Sequence, residues 1–119
     1  MKQLLLCISV LIISFESFAQ SCNQLPLQFE SFSIANRQIT GSTFQFVDNL
    51  KISKSSWIRS AQYYSCDNIT GYFFLITDHK TYIHKDVPIQ LWKNFVSTSS
   101  YGNFYNINFK GKFPLRIVK

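Results

Sequence analysis

The chain opens with one basic residue, Lys2, followed by an apolar run from Leu4 to Ile13 that is broken only by Ser9. An apolar run of about 10 residues is the length of a signal-peptide hydrophobic region, whereas a helix crossing a bilayer takes about 20. Ser17 and Ala19 put small side chains at the two positions a signal peptidase reads. Cleavage is therefore expected after Ala19, leaving Gln20 as the new N-terminus, with a retained anchor or a buried strand as the alternatives. A lipid anchor on Cys22 fits poorly, because bulky, polar Gln20 stands where a small residue is needed.

Beyond the expected cut, residues 20–54 pattern weakly. Leu25 to Ile34 alternates loosely, Thr43 to Val47 has the look of a short strand, and Asn36 and Gly41 favour turns between them. The expectation is an N-terminal arm carrying one or two strands. From Ser55 onward the pattern sharpens. Ser56 to Tyr64 reads as a strand, Cys66 to Gly71 as a turn, and Tyr72 to Thr77, apolar on both faces, as a central strand. Asp78-His79-Lys80 then joins it to a strand at Thr81 to Lys85. Consecutive strands with short connections predict an antiparallel meander of at least three strands.

Asp86-Val87-Pro88 punctuates the next change, and Pro88 suits the first position of a helix, where its missing N–H costs nothing. Ile89, Trp92 and Val96 recur at helical spacing, supported by Leu91 and Phe95, and predict a helix packed on the meander and ending near Ser99 or Ser100 before Gly102. The stretch Asn103 to Lys110 reads as a short helix closed by Gly111 or, alternatively, as a strand. The fold class is thus α+β, with residues 55–119 as its main unit.

Composition adds to this picture in two ways. Aromatics make up 17% and charged residues only 15%, which excludes a disordered chain and suits packed strands. The net charge is +6 and survives cleavage, since Lys2 and Glu16 leave together. A basic protein attracts phosphates, acidic glycans and acidic proteins. Lys110, Lys112, Arg116 and Lys119 gather the charge at the C-terminus, and Tyr101, Tyr105, Phe109 and Phe113 interleave with them. Tyr101, Tyr105, Lys110, Lys112 and Arg116 are the candidate anionic-ligand patch; the alternative is that the rings are core and the cations simply solvated.

Export also changes the cysteine arithmetic. Cys7 departs with the signal, leaving Cys22 and Cys66, which in an oxidising compartment read as one disulfide, with two separate buried thiols as the alternative. No C-x-x-C spacing competes for them as metal ligands. His79 and His84 lie near Asp78 and Asp86, yet no third ligand stands at convincing spacing, so neither metal nor cofactor is expected. No nucleophile elbow or oriented base marks a hydrolase, and the expectation is a non-enzyme. Asn68-Ile69-Thr70 is a glycosylation sequon placed in a turn.

An ordered set of short motifs runs from Ser56 to about Val118. Ser56, Ile58 and Tyr63 open it, followed by Tyr82-Ile83-His84-Lys85-Asp86-Val87-Pro88 and a helix bearing Leu91, Trp92 and Phe95. Ser100-Tyr101-Gly102, Tyr105-Asn106 and Phe113-Pro114-Leu115 complete it. In order and spacing the set resembles the KTSC domain, named for its presence at the C-terminus of some lysyl-tRNA synthetases and also found alone in small bacterial proteins. The resemblance marks Tyr82, His84, Val87, Pro88, Gly102, Asn106 and Pro114 as motif positions. It implies no established activity; RNA binding has been suggested from the synthetase fusion. This chain departs from the pattern with His84 in place of a second tyrosine, Leu115 in place of a final aromatic, and His79 where a hairpin glycine suits a left-handed backbone. Tyr82 and His84 share one strand face, which makes them either a surface platform for bases or sugars or, as expected here, core residues under the helix. A non-catalytic binding module acting on an acidic envelope protein or glycan is the functional expectation, with nucleic-acid binding as the alternative.

Overall fold

The computed structural model describes residues 20–118; the expected signal segment and Lys119 lie outside them. In chain order the elements are β1 (Gln20–Ser21), a 3-10 turn (Cys22–Gln24), α1 (Phe32–Thr40), β2 (Ser42–Thr43) and β3 (Phe46–Lys51). β4 (Ile58–Ser65), β5 (Thr70–Thr77), β6 (Thr81–Pro88), α2 (Ile89–Val96) and α3 (Tyr101–Asn108) follow. The α+β class holds: β3-β4-β5-β6 form one antiparallel sheet in sequence order.

The sheet is covered on both faces, which explains the two-sided apolar character of β5. On one face Ala61, Tyr63, Phe73 and Leu75 meet Trp92 and Phe95 of α2 and Tyr105 and Phe109 at α3. On the other, Tyr64, Phe74 and Ile83 meet Phe29, Ala35 and Ile39 from the N-terminal segment and Leu115 from the tail. Adjacent residues of β5 therefore both enter a core, Phe73 on one side and Phe74 on the other. The first core is built largely of aromatic rings, stacked in places: Phe73 lies 4.0 Å from Phe109 and Tyr63 lies 5.5 Å from Trp92, centroid to centroid.

Residues 20–54 differ from the expected arm. The loose alternation from Leu25 to Ile34 does not make a strand; Phe29 alone pairs, with Ile117 of the tail. Besides Phe29, the residues that bury in residues 25–40, Ala35 and Ile39, are four apart on a helix, while Phe32 stays 52% exposed. Ser31 starts α1, its hydroxyl accepting from the Ile34 amide at 3.1 Å, so Asn36 falls within a helix rather than a turn. Gly41 follows the helix end and donates to the Arg37 carbonyl. The short strand expected at Thr43–Val47 divides into β2, parallel to β1, and β3, which pairs with β4 from Phe46↔Ser65 to Lys51↔Ser60. The boundary expected after Lys54 thus falls in the connection between two neighbouring strands of one sheet.

Smaller shifts occur elsewhere. His79 is not left-handed; among the described residues the non-glycine ones with positive φ are Asn68, Asp86 and Phe113. Thr77 closes that hairpin instead, its Oγ1 accepting from the amides of His79 and Lys80 at 3.3 and 3.0 Å. Asp86 belongs to a bulge between the pairs Gly71↔Val87 and Phe73↔His84. α2 stops at Val96, earlier than expected, and Gly102 sits in the first turn of α3. Pro88 ends β6 and precedes the first helical residue, so Val87 and Pro88 act as the hinge from sheet to helix. The buried Tyr63 hydroxyl donates to the Val87 carbonyl at 2.6 Å, securing that hinge.

Candidate functional site

The predicted Cys22–Cys66 disulfide is present, with a Cα–Cα distance of 5.9 Å. It pins the N-terminal segment to the β4–β5 turn. In that turn the Asp67 carboxylate accepts from the amides of Thr70 and Ile69 at 3.0 and 2.9 Å, which holds its pKa below the usual carboxylate range. Asn68 of the sequon is exposed there.

The motif residues Tyr82 and His84 project from β6 toward α3, and the core reading of His84 holds: it is 8% exposed. Its ring geometry defines its proton. Nδ1 lies 2.8 Å from the Lys112 carbonyl, which can only accept, so Nδ1 carries the hydrogen. Nε2, 2.9 Å from the Tyr105 hydroxyl, is then the acceptor, and Tyr105 donates to it. Burial favours this neutral form, pushing the His84 pKa below its ordinary value. Burial also drives the Tyr105 pKa up to about 12, so the phenol retains the proton it donates. This buried pair links β6, α3 and the segment after α3.

Just outside the pair lies a pocket of about 320 Å³, walled by Tyr82, Ile83, Tyr105, Pro114 and Leu115, with Phe32 at its side. Lys80, Lys110 and Lys112 also line it, and no acidic side chain does among the described residues. Lys80 places its ammonium 4.9 Å from the Tyr82 ring centroid, a cation–π contact. Lys112 donates to the Ile107 carbonyl at 3.1 Å, which fixes its stem near the mouth. Gly111, at φ 76°, supplies the left-handed turn that brings Lys110 and Lys112 back toward β6.

The interleaved C-terminal patch is thereby divided. Tyr105 and Phe109 are core residues, Lys110 and Lys112 are exposed at the pocket, and Arg116 is exposed elsewhere, on a stretch whose carbonyl accepts from the Phe29 amide at 2.9 Å. Tyr101, Gly102 and Asn106 line a separate groove near the start of α3. Pro114 bridges to His84 and stays at the pocket, and Val87 is fully buried. Reading the sequence missed Lys80, Phe32 and Leu115 as pocket residues. Lys80 had a signal: it has the same parity as Tyr82 and His84, so an extended chain puts all three on one side. Phe32 and Leu115 had none, because their neighbours are distant in sequence.

Among the described residues no cluster of three or more His, Cys, Asp or Glu side chains is placed to hold a metal ion, and no helix is long and apolar enough to cross a membrane. No protein-family model, curated protein or solved structure matches the chain. The KTSC resemblance accordingly rests on its ordered motifs.

Proposed function

We propose that this is an exported, KTSC-like, non-catalytic binding module that receives an acidic segment of a partner protein in the lysine-rimmed pocket. The observation that carries the reading is the convergence of Lys80, Lys110 and Lys112 on one apolar concavity. An apolar side chain of the partner fills the floor over Tyr82 and Leu115, while neighbouring carboxylates meet the ammonium groups. Three cations without an opposing acid give steering as well as affinity. The short apolar run before Ala19 supports export, and the Cys22–Cys66 bridge suits an oxidising compartment such as the periplasm or the exterior. The intact mass of the exported protein then begins at Gln20.

The test replaces Lys80, Lys110 and Lys112 together with Gln and measures binding to a synthetic peptide of alternating Glu and Phe, and to oligo-dT, at two salt concentrations. The fold is expected to persist, since exposed charges contribute little stability. Peptide affinity should fall by about tenfold or more, equivalent to roughly 1.4 kcal/mol, whereas Arg116→Gln should leave it unchanged. Full affinity in the triple variant overturns the proposal. Preference for oligo-dT with a steep salt dependence replaces it with the nucleic-acid reading, in which Tyr82 stacks a base.

A further inference from the structure

The groove near the start of α3 has a different character from the lysine-rimmed pocket. It encloses about 600 Å³, within the range of small-molecule sites, and is lined by Ser, Thr and Asn side chains with two aromatics, Trp57 and Tyr101. Among the described lining residues Lys54 is the only charged one. Two chain segments far apart in sequence build it: the β3–β4 connection, carrying Ser56 and Trp57, and the stretch from Thr98 to Asn106. Ser56, Gly102 and Asn106, all residues of the motif set that carries the KTSC resemblance, are brought together here.

The aromatic side is held in place before any ligand arrives. Ser55 Oγ accepts from the amides of Trp57 and Ile58 at 3.3 and 3.1 Å, which sets the Trp57 backbone. The half-buried Trp57 ring packs edge-on to Tyr105 at 6.1 Å and lies against Gly102. A Cβ at residue 102 would lie 3.1 Å from the indole nitrogen, a tight contact that the ring would have to yield to by a few tenths of an ångström, so glycine lets it sit at this depth unstrained. Tyr101 is supported from below by Phe95 at 5.2 Å. On the polar side Thr98 Oγ1 accepts from the Ser100 amide at 3.3 Å, while the carboxamides of Asn103 and Asn106 remain available to a ligand. Ser100 precedes α3, yet its hydroxyl does not cap the helix, in contrast to Ser31 at α1. Asn103 and Asn106, three apart, offer their amides from one side of α3.

We propose that this groove binds a neutral oligosaccharide. Each carboxamide presents an acceptor and a paired donor, which matches the vicinal hydroxyls of a sugar. The C–H face of a pyranose packs on an aromatic ring, and Trp57 and Tyr101 supply the rings. A single lysine is too little for a phosphate or polyanion, which calls for several cations or a bidentate clamp. The site is separate from the lysine-rimmed pocket, and a chain with both could hold a glycan and a protein partner together.

The two tryptophans provide an internal comparison. Trp92 is buried, its indole donates to Asp48 at 3.0 Å, and it does not line the groove. In ¹⁵N-labelled protein titrated separately with cellobiose, maltose and N,N′-diacetylchitobiose, at least one sugar should shift the Trp57 indole resonance while that of Trp92 stays put. Asn103→Ala with Asn106→Ala should weaken that binding by about tenfold and leave the Trp92 resonance at its native position, which shows that the fold is kept. The triple Lys→Gln variant should bind the same sugar normally, so the two proposals fail independently. No Trp57 shift with any of the three sugars at tens of millimolar, or undiminished affinity in the double Asn variant, overturns the inference.

Discussion

Replacing Cys22 and Cys66 together by serine removes the covalent tie between the N-terminal segment and the β4–β5 turn. The bond spans a sequence separation of 44 residues. In the chain-entropy treatment a loop of that length takes about 13 cal/mol/K from the unfolded ensemble, or about 4 kcal/mol at 25 °C. That is a large part of the roughly 5–15 kcal/mol by which a domain of this size is stable. Non-covalent contacts at the Cys22 end cannot replace it: β1 is two exposed residues paired with two of β2, and the 3-10 turn buries nothing. Equilibrium urea unfolding, followed through Trp92 stacked on Tyr63, measures the loss. With a urea slope of about 2 kcal/mol/M the midpoint should fall by about 2 M. Non-reducing peptide mapping of the native protein should recover both cysteines in one linked peptide. A midpoint change worth less than about 1 kcal/mol, with the bond shown intact in the parent, would refute the reasoning and mean that the segment is already close to the turn in the unfolded chain.

Two further outcomes follow from close contacts in the core. Gly71→Ala places a methyl 2.3 Å from the Tyr64 carbonyl oxygen and 2.9 Å from the Tyr63 ring, at the paired edge of two strands that cannot part; a loss of about 3 kcal/mol, read by thermal or urea unfolding, is expected, and a neutral variant would show that the β4–β5 pairing is looser than drawn. His84, whose pKa lies below its value in the unfolded chain, makes stability pH-dependent. As pH falls through about 6.5 the unfolded chain takes up a proton that the folded chain refuses, so stability present above that pH declines, by at most about 1.4 kcal/mol per pH unit. Unfolding of the parent and of His84→Phe between pH 7 and pH 5 should show this slope in the first and its loss in the second.

Much of the strand and helix pattern was legible in the sequence for local reasons. β5 announced itself as a buried strand because both of its faces are apolar, and α2 because Trp92 and its neighbours recur at helical spacing after Pro88. The disulfide followed from cysteine number and expected compartment. Residues 25–40 were misread because burial there is set by partners far along the chain: Phe29 pairs with Ile117, and Ala35 and Ile39 cover a sheet face formed by Tyr64, Phe74 and Ile83. A loose alternation of side chains cannot show which of them will be covered.

The candidate site shows the same division more sharply. Lys110 and Lys112 were visible as a basic cluster and Tyr82 as a strand residue. Their union with Lys80 around a pocket depends on the β5–β6 hairpin, the left-handed turn at Gly111 and the packing of α3 on the sheet. Tyr105 looked like a surface ring beside cations, and tertiary packing made it the buried donor to His84. By itself the sequence determined composition, charge, periodicity and the pairing options of two cysteines, because those depend on nearest neighbours and counts. Only the tertiary structure decided which rings are interior and which cations share a surface, because burial and proximity arise between segments that chain order leaves far apart.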